Sequence, residues 1–313
     1  MAGKFLNPLE FYPRFLHITD QIYEQLDTKS LKNCRKVSKS WQKCIDDKKY
    51  TWIQIVNIPK TLQKEDTYLH LSAKRGQTKM FENILDKEDV KNPKNQDGNT
   101  TFHFVCLYGH LEIANMIILR SAEFNFDLNA KNKYGITAFN FACWRGQSKI
   151  VEMLVDISAE FNIEMNVKDN SGFTAFHEAC RNGHRQIADI LIKQSSKFNI
   201  DLNAKDDTFG YTAFHLACTS NHPNIVWILM KNSSDFNIDL NAENLGFTGF
   251  HFACMFGYKS VIEIMIEEAD SGEIDFTAKD NLRRTGFKMA EEFGKSEVVN
   301  LIKEKLPILA FDK

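Results

Sequence analysis

A chain of 313 residues, 43% of them hydrophobic, can bury a large core, and 39 basic against 41 acidic residues give a formal net charge of −2 that offers phosphates no general attraction. With only 6 prolines and 15 glycines there is no room for a long low-complexity linker, no run approaches the length of a membrane span, and MAGKFLNPLEFY lacks the apolar centre of a signal peptide. These features argue against a nucleic-acid binder and a membrane protein and lead us to expect a soluble, mostly ordered chain in the cytoplasm or nucleus.

After a tail over 1–12, the first stretch with a pattern is 13–53. Pro13, Leu16, Ile22, Leu26, Leu31, Val37, Trp41 and Trp52 are spread over short helical runs, with a break at Asp27 to Ser30. Ile22 and Leu26 stand four apart, and so do Val37 and Trp41. This order resembles an F-box, although the family's Leu-Pro-x-Glu start is missing and Pro13 lies further from Ile22 than the family spacing has it. The resemblance implies that these eight residues dock on the Skp adaptor of a cullin ubiquitin ligase. The other reading is a helical cap that covers the first repeat. The basic run from Lys29 to Lys49 reads as a solvated face, better suited to an acidic protein than to phosphate.

A linker over 54–65, including Pro59, leads to a segment that repeats itself over 66–306. The runs NTTFHFVC (99–106), ITAFNFAC (136–143), FTAFHEAC (173–180), YTAFHLAC (211–218) and FTGFHFAC (247–254) are versions of one another. Their Phe recurs at Phe102, Phe139, Phe176, Phe214, Phe250 and Phe287, in steps of 37, 37, 38, 36 and 37. A period of this size means stacked units, each burying its apolar face on the next. Thr137, Thr174, Thr212 and Thr248 stand where a hydroxyl can cap a helix, and Gly109, Gly146, Gly183, Gly257 and Gly294 where that helix must end. A second apolar run at helical spacing follows, as in IVEMLV (150–155) or IADILI (187–192).

Thr-x-Phe-His-x-Ala, a Gly-ended helix, a second helix and a finger resemble the ankyrin repeat, with Phe in place of the family Leu and a period longer than the family's. The resemblance implies an all-α solenoid of about seven units, with Tyr68, Leu69, His70 and Gly76 marking a weaker first unit and 285–306 a degenerate last one, followed by a tail over 307–313. At ~8–10 Å per packed layer the stack is about 60 Å long. The extra residues fall before the finger, where Phe124, Phe161, Phe198 and Phe236 recur, and predict a longer second helix or a loop pinned by its own ring.

Cys106, Cys143, Cys180, Cys218 and Cys254 occupy one column, and a spacing of ~8–10 Å between layers is too long for the ~7 Å limit of a disulfide. Reduced, buried thiols are expected. His103, His177, His215 and His251 each precede one of these cysteines by three, but a zinc site needs four convergent ligands. The family resemblance gives them a scaffold role, tying one unit to the next. No phosphate loop, nucleophile elbow, kinase signature or His-Glu-x-x-His is present. We therefore expect no catalytic residues, no cofactor and no metal.

What remains is a surface. The resemblance implies that the two residues before each closing Gly face a concave groove, and aromatics and Arg are the types enriched at binding hot spots. Tyr108, Trp144, Arg145, Arg181, Met255 and Phe256 are the expected substrate-binding residues. The finger residues Tyr134, Phe173, Phe209, Tyr211, Leu245 and Phe247 come second. The leading reading is the substrate-recognition adaptor of a Skp-cullin-F-box ligase, monomeric, with a protein target in the groove. The rival is an ankyrin scaffold without a ubiquitin link.

Overall fold

The computed structural model describes residues 67–85, 93–269 and 273–310. The F-box-like segment, with Pro13, Leu16, Ile22, Leu26, Leu31, Val37, Trp41 and Trp52, lies outside the described residues. The described part is a succession of antiparallel helix pairs. In chain order these are α1 (Tyr68–Arg75) and α2 (Thr78–Leu85); α3 (Thr101–Tyr108), α4 (Leu111–Leu119) and the short turn α5 (Ser121–Phe124); α6 (Ala138–Arg145), α7 (Ser148–Asp156) and α8 (Ser158–Phe161); α9 (Ala175–Arg181) and α10 (Arg185–Phe198). Then come α11 (Ala213–Thr219), α12 (Pro223–Lys231) and α13 (Ser233–Phe236); α14 (Gly249–Phe256) and α15 (Lys259–Glu268); and α16 (Gly286–Glu292) with α17 (Ser296–Lys305). A 3-10 turn over Pro307–Ala310 follows, and its Leu309 is buried.

One residue type starts every inner helix. Thr67, Thr100, Thr137, Thr174, Thr212, Thr248 and Thr285 hold extended backbone, and each hydroxyl accepts from the backbone N–H three residues on. Where the third helical residue is His, its ring returns a bond to the Thr backbone N–H, so the cap is reciprocal, with His doing what Glu does in the usual capping box. The inner helices end as the glycines predict, with Gly109, Gly146, Gly183, Gly257 and Gly294 all at positive φ. In the fifth pair, where no Gly is available, Asn221 adopts the left-handed backbone with φ 57°.

Successive inner helices pack on one another, as do the outer ones. Phe102, Phe139, Phe176, Phe214, Phe250 and Phe287 form the ring column, none more than 5% exposed. Fully burying a Phe contributes about 1.5–3 kcal/mol. Cys106, Cys143, Cys180, Cys218 and Cys254 are free and buried, and burial pushes each thiol up from its ordinary value, so they are inert fillers. Near the end of the stack the layers come so close that only Gly fits at the first helical position: a Cβ on Gly249 would stand 2.7 Å from the Phe214 ring and 2.8 Å from Cys218 Sγ.

The extra residues of the long period lengthen the outer helix. In the fourth pair α10 runs unbroken to Phe198, while in three other units one residue, Arg120, Ile157 or Asn232, separates the outer helix from a final turn. All four end the same way, with Asn125, Asn162, Asn199 or Asn237 left-handed at φ 49–53°. Phe124, Phe161, Phe198 and Phe236 pack half-buried against the core. The hydroxyls of Ser158, Ser195 and Ser233 fold back at 2.7 Å onto the carbonyls of Val155, Ile192 and Met230.

The fingers that follow are held by side chains, not by a sheet. Asn95, Asn132, Asp169, Asp206 and Asp280 each accept backbone N–H groups of their own turn. The finger at Asn244 differs: it closes as a tight two-residue hairpin bridging Asn244 and Phe247, with Leu245 left-handed at its tip. Backbone bonds also run from finger to finger, from Lys133 N–H to Asp97, Asn170 to Tyr134 and Asp207 to Ser171, at 2.8–2.9 Å.

Candidate protein-binding groove

The last turns of the inner helices carry the row of residues expected to meet a partner. Tyr108 is 45% exposed, Trp144 39% and Phe256 42%; Arg145 and Arg181 are exposed, and Met255 is half-buried. The row extends one unit further than expected, to Phe293, which is 50% exposed and stands one residue before Gly294. The rings are held by neighbours of their own unit. The Arg145 guanidinium lies 4.9 Å over the Trp144 ring, Arg181 lies 5.6 Å over Phe173, and Phe256 stacks on Tyr258 at 5.6 Å.

The backbone beneath this row is tied to the next unit. His110 Nε2 meets the Lys74 carbonyl at 3.2 Å, Gln147 Nε2 donates to Leu107 at 3.2 Å, and His184 and His222 meet the Trp144 and Arg181 carbonyls at 2.9 Å. These side chains fill the left-handed turns so closely that a Cβ on Gly146 would stand 2.7 Å from the His184 ring. This face is thus held in place by the fold itself.

A second ladder runs through the capping histidines. The Thr100 N–H reaches His103 Nδ1 at 3.1 Å, and since an N–H can only donate, Nδ1 accepts and Nε2 carries the proton. That Nε2–H donates to the Ile136 carbonyl of the next unit at 3.0 Å. His177, His215 and His251 repeat the arrangement toward Ala204 and Tyr211, Phe247, and Arg284. Burial holds all four rings below their ordinary value, His103 at about 4, against the pull of the carbonyl each one meets. They are neutral scaffold groups, as the resemblance implies. In the third unit Asn140 stands in for His: it accepts from the Thr137 hydroxyl at 2.5 Å and donates to Val167 at 3.2 Å.

The second set of expected residues divides. Tyr134, Phe209 and Leu245 project from the finger tips at 57%, 60% and 75% exposure, joined by Leu282 at 70%. Phe173 is buried, and Tyr211 and Phe247 are half-buried, because these three sit after the turn and pack inward on capping histidines: Tyr211 on His215, Phe173 on His177 and Phe247 on His251. A wider hollow of about 630 Å³ lies on the outer helices between Arg185 and Lys231, where Arg185 stands 4.5 Å over Trp227. Its lysines are paired, Lys193 with Asp189 and Lys231 with Glu268. Among the described residues no cluster of His, Cys, Asp and Glu could hold a metal ion, and no helix is long and apolar enough to cross a membrane.

Comparison with known proteins agrees with this architecture. The family described as ankyrin repeats (3 copies) matches in overlapping windows over residues 51–129, 69–165, 118–206, 159–244 and 199–280, and the F-box domain matches over 16–53. A putative ankyrin repeat protein of Rickettsia felis is 38% identical over 60 residues, and another of Rickettsia bellii is 38% identical over 58. These stretches are 19% and 18% of this chain and only 15% and 9% of those proteins. The crystal structure of the human ASB11 ankyrin repeat domain superposes with a TM-score of 0.62 at 19% identity, covering 75% of this chain and 97% of that one. At that identity the likeness shows the fold alone. Both matched domains are protein-interaction modules.

Proposed function

The chain belongs to the ankyrin-repeat family with an F-box domain ahead of its repeats, and on that premise we propose that it is the substrate-recognition adaptor of a Skp-cullin-F-box ubiquitin ligase. The observation that carries this reading is the direct succession of the two matches, the F-box ending at residue 53 where the ankyrin windows begin at 51. An F-box holds the Skp adaptor and through it the cullin, and the groove row of Tyr108, Trp144, Arg145, Arg181, Met255, Phe256 and Phe293 offers a target protein the residue types that dominate binding energy. With little chain between the two modules, target and ligase are kept within a limited range of distances, which raises the effective concentration of the target's lysines. Ubiquitin transfer is then the work of other subunits, in the cytoplasm or nucleus.

Co-expression with a Skp adaptor tests it. The expected result is a one-to-one complex on size exclusion that is lost in a folded Val37→Asp, Trp41→Ala variant. Separate elution of two folded proteins would leave an ankyrin scaffold whose first 55 or so residues are a cap.

A further inference from the structure

Lined up unit by unit, the residue after each capping position reads Leu71, Phe104, Phe141, Glu178, Leu216, Phe252 and Met289. Where that residue is Phe, its ring packs against the capping histidine of the unit before it. The Phe104 ring meets His70 edge-on at 5.6 Å, Phe141 meets His103 at 5.8 Å, and Phe252 meets His215 at 5.8 Å. At one step both partners change together: the cap is Asn140 instead of His, and the residue packed against it is Glu178 instead of an apolar one. The ring pair is gone, and in its place lies a cavity of about 120 Å³ lined by Ile136, Asn140, Phe141, Trp144, Asp169 and Glu178. A water's share of liquid volume is ~30 Å³, so the space suits one long side chain and not a free cofactor.

Its chemistry is two-sided. Ile136, Phe141 and Trp144 supply apolar wall, Trp144 being exposed in the groove row, while Glu178 and Asp169 supply carboxylates. Asp169 Oδ1 accepts from the N–H groups of Ser171 and Phe173 and so holds its own turn, and Asn140 is engaged with its cap, so Glu178 is the lining carboxylate not committed to holding a finger turn. Its inner neighbours are the Asn182 amide at 3.2 Å and the charge of Arg181, whose guanidinium lies over Phe173 and does not line the cavity. Burial is the largest influence on the Glu178 carboxyl and, with the like charge of Asp169, raises it from its ordinary value against both of these, so an added cation would favour its charged form. An aliphatic stem along an aromatic wall with a cation at its tip describes Lys or Arg.

We propose that this step of the groove is a specificity pocket for one Lys or Arg side chain of the bound protein. The inference rests on the groove being the protein-binding face and names part of what it reads. The probe is a random peptide library selected on the full chain, with the selected peptides then measured against Glu178→Gln and against Glu178→Leu, the residue type that Leu216 supplies at the same place. The expected result is a basic residue at one fixed peptide position, with affinity reduced about tenfold or more in either variant, the scale of a charge-assisted hydrogen bond. The same loss is expected when that peptide residue is changed to norleucine, with no further loss when both changes are combined. A selected motif without a basic residue, or a basic residue whose contribution survives both variants, overturns the pocket and leaves the groove. No selected peptide at all overturns both.

Discussion

Replacing His103 with Asn separates what the capping histidines contribute as hydrogen-bonding groups from what they contribute as titrating ones. In the folded chain Nδ1 faces the Thr100 N–H at 3.1 Å and its hydroxyl at 2.8 Å, so a second proton on the ring would set donor against donor in a buried site. Burial accordingly holds the ring at about 4, against 6.5 when free. Between these two values the unfolded chain binds the proton and the folded chain does not, so the stability this ring provides is complete above pH 6.5 and is lost as the pH falls toward 4. The whole interval is worth about 3 kcal/mol, of which about 2 kcal/mol is gone by pH 5. Asn keeps the cap, as Asn140 does with the Thr137 hydroxyl and the Val167 carbonyl, but does not titrate. Urea midpoints by circular dichroism at pH 7.5 and 5.0 measure the difference. The parent chain is expected to lose about 2 kcal/mol more than His103→Asn between the two pH values, because carboxylates titrate alike in both. Equal losses would refute the assignment of an acid-sensitive neutral ring.

Three further outcomes are expected from the packing. Thr101 carries a buried hydroxyl without a partner where the next three units have Ala, so Thr101→Val should raise stability by about 1 kcal/mol in the same urea assay. Gly249→Ala should lower it by about 1–2 kcal/mol, since the new methyl meets the Phe214 ring at 2.7 Å and overpacking outweighs the gain in helix propensity. Restoring the repeat pattern with Asn140→His and Glu178→Phe should fill the 120 Å³ cavity and stabilise the stack by about 1–2 kcal/mol while abolishing binding of peptides selected on the parent chain.

What could be read ahead of the structure was whatever repeats. The Phe column, the capping threonines and the closing glycines recur at one period, and each marks a place where a single residue type solves a local problem of burial or an unpaired backbone group. The recurring Phe marks the inserted stretch as pinned to the core but leaves a longer helix and a loop open, and the residue that ends the helix, Asn125, Asn162, Asn199 or Asn237, follows that Phe directly. Asn221 does not stand out in the sequence because Ser-Asn is a weaker punctuation than Gly. Among the finger aromatics, the sequence marks Tyr134, Phe173, Phe209, Tyr211, Leu245 and Phe247 as apolar yet not which side of the turn they occupy, and that alone separates exposed Phe209 from half-buried Tyr211 two residues later. Asn140 and Glu178 lie 38 positions apart, and only the stacking of units makes their joint departure a cavity.

The ties between units also set how the stack carries load. His110, Gln147, His184 and His222 each clamp the carbonyl of the layer before, whereas Tyr258 and Lys295 take the next two places in that column. A pull along the stack is felt by its joints in series, like links of a chain, and such a chain yields at its softest link while the others hold. The five layers that these four clamps join, with Trp144 and Glu178 among them, are expected to keep their shape under such a pull, while the joints beyond His222 rest on other ties, such as His251 to the Arg284 carbonyl and Asn281 to the Leu245 carbonyl.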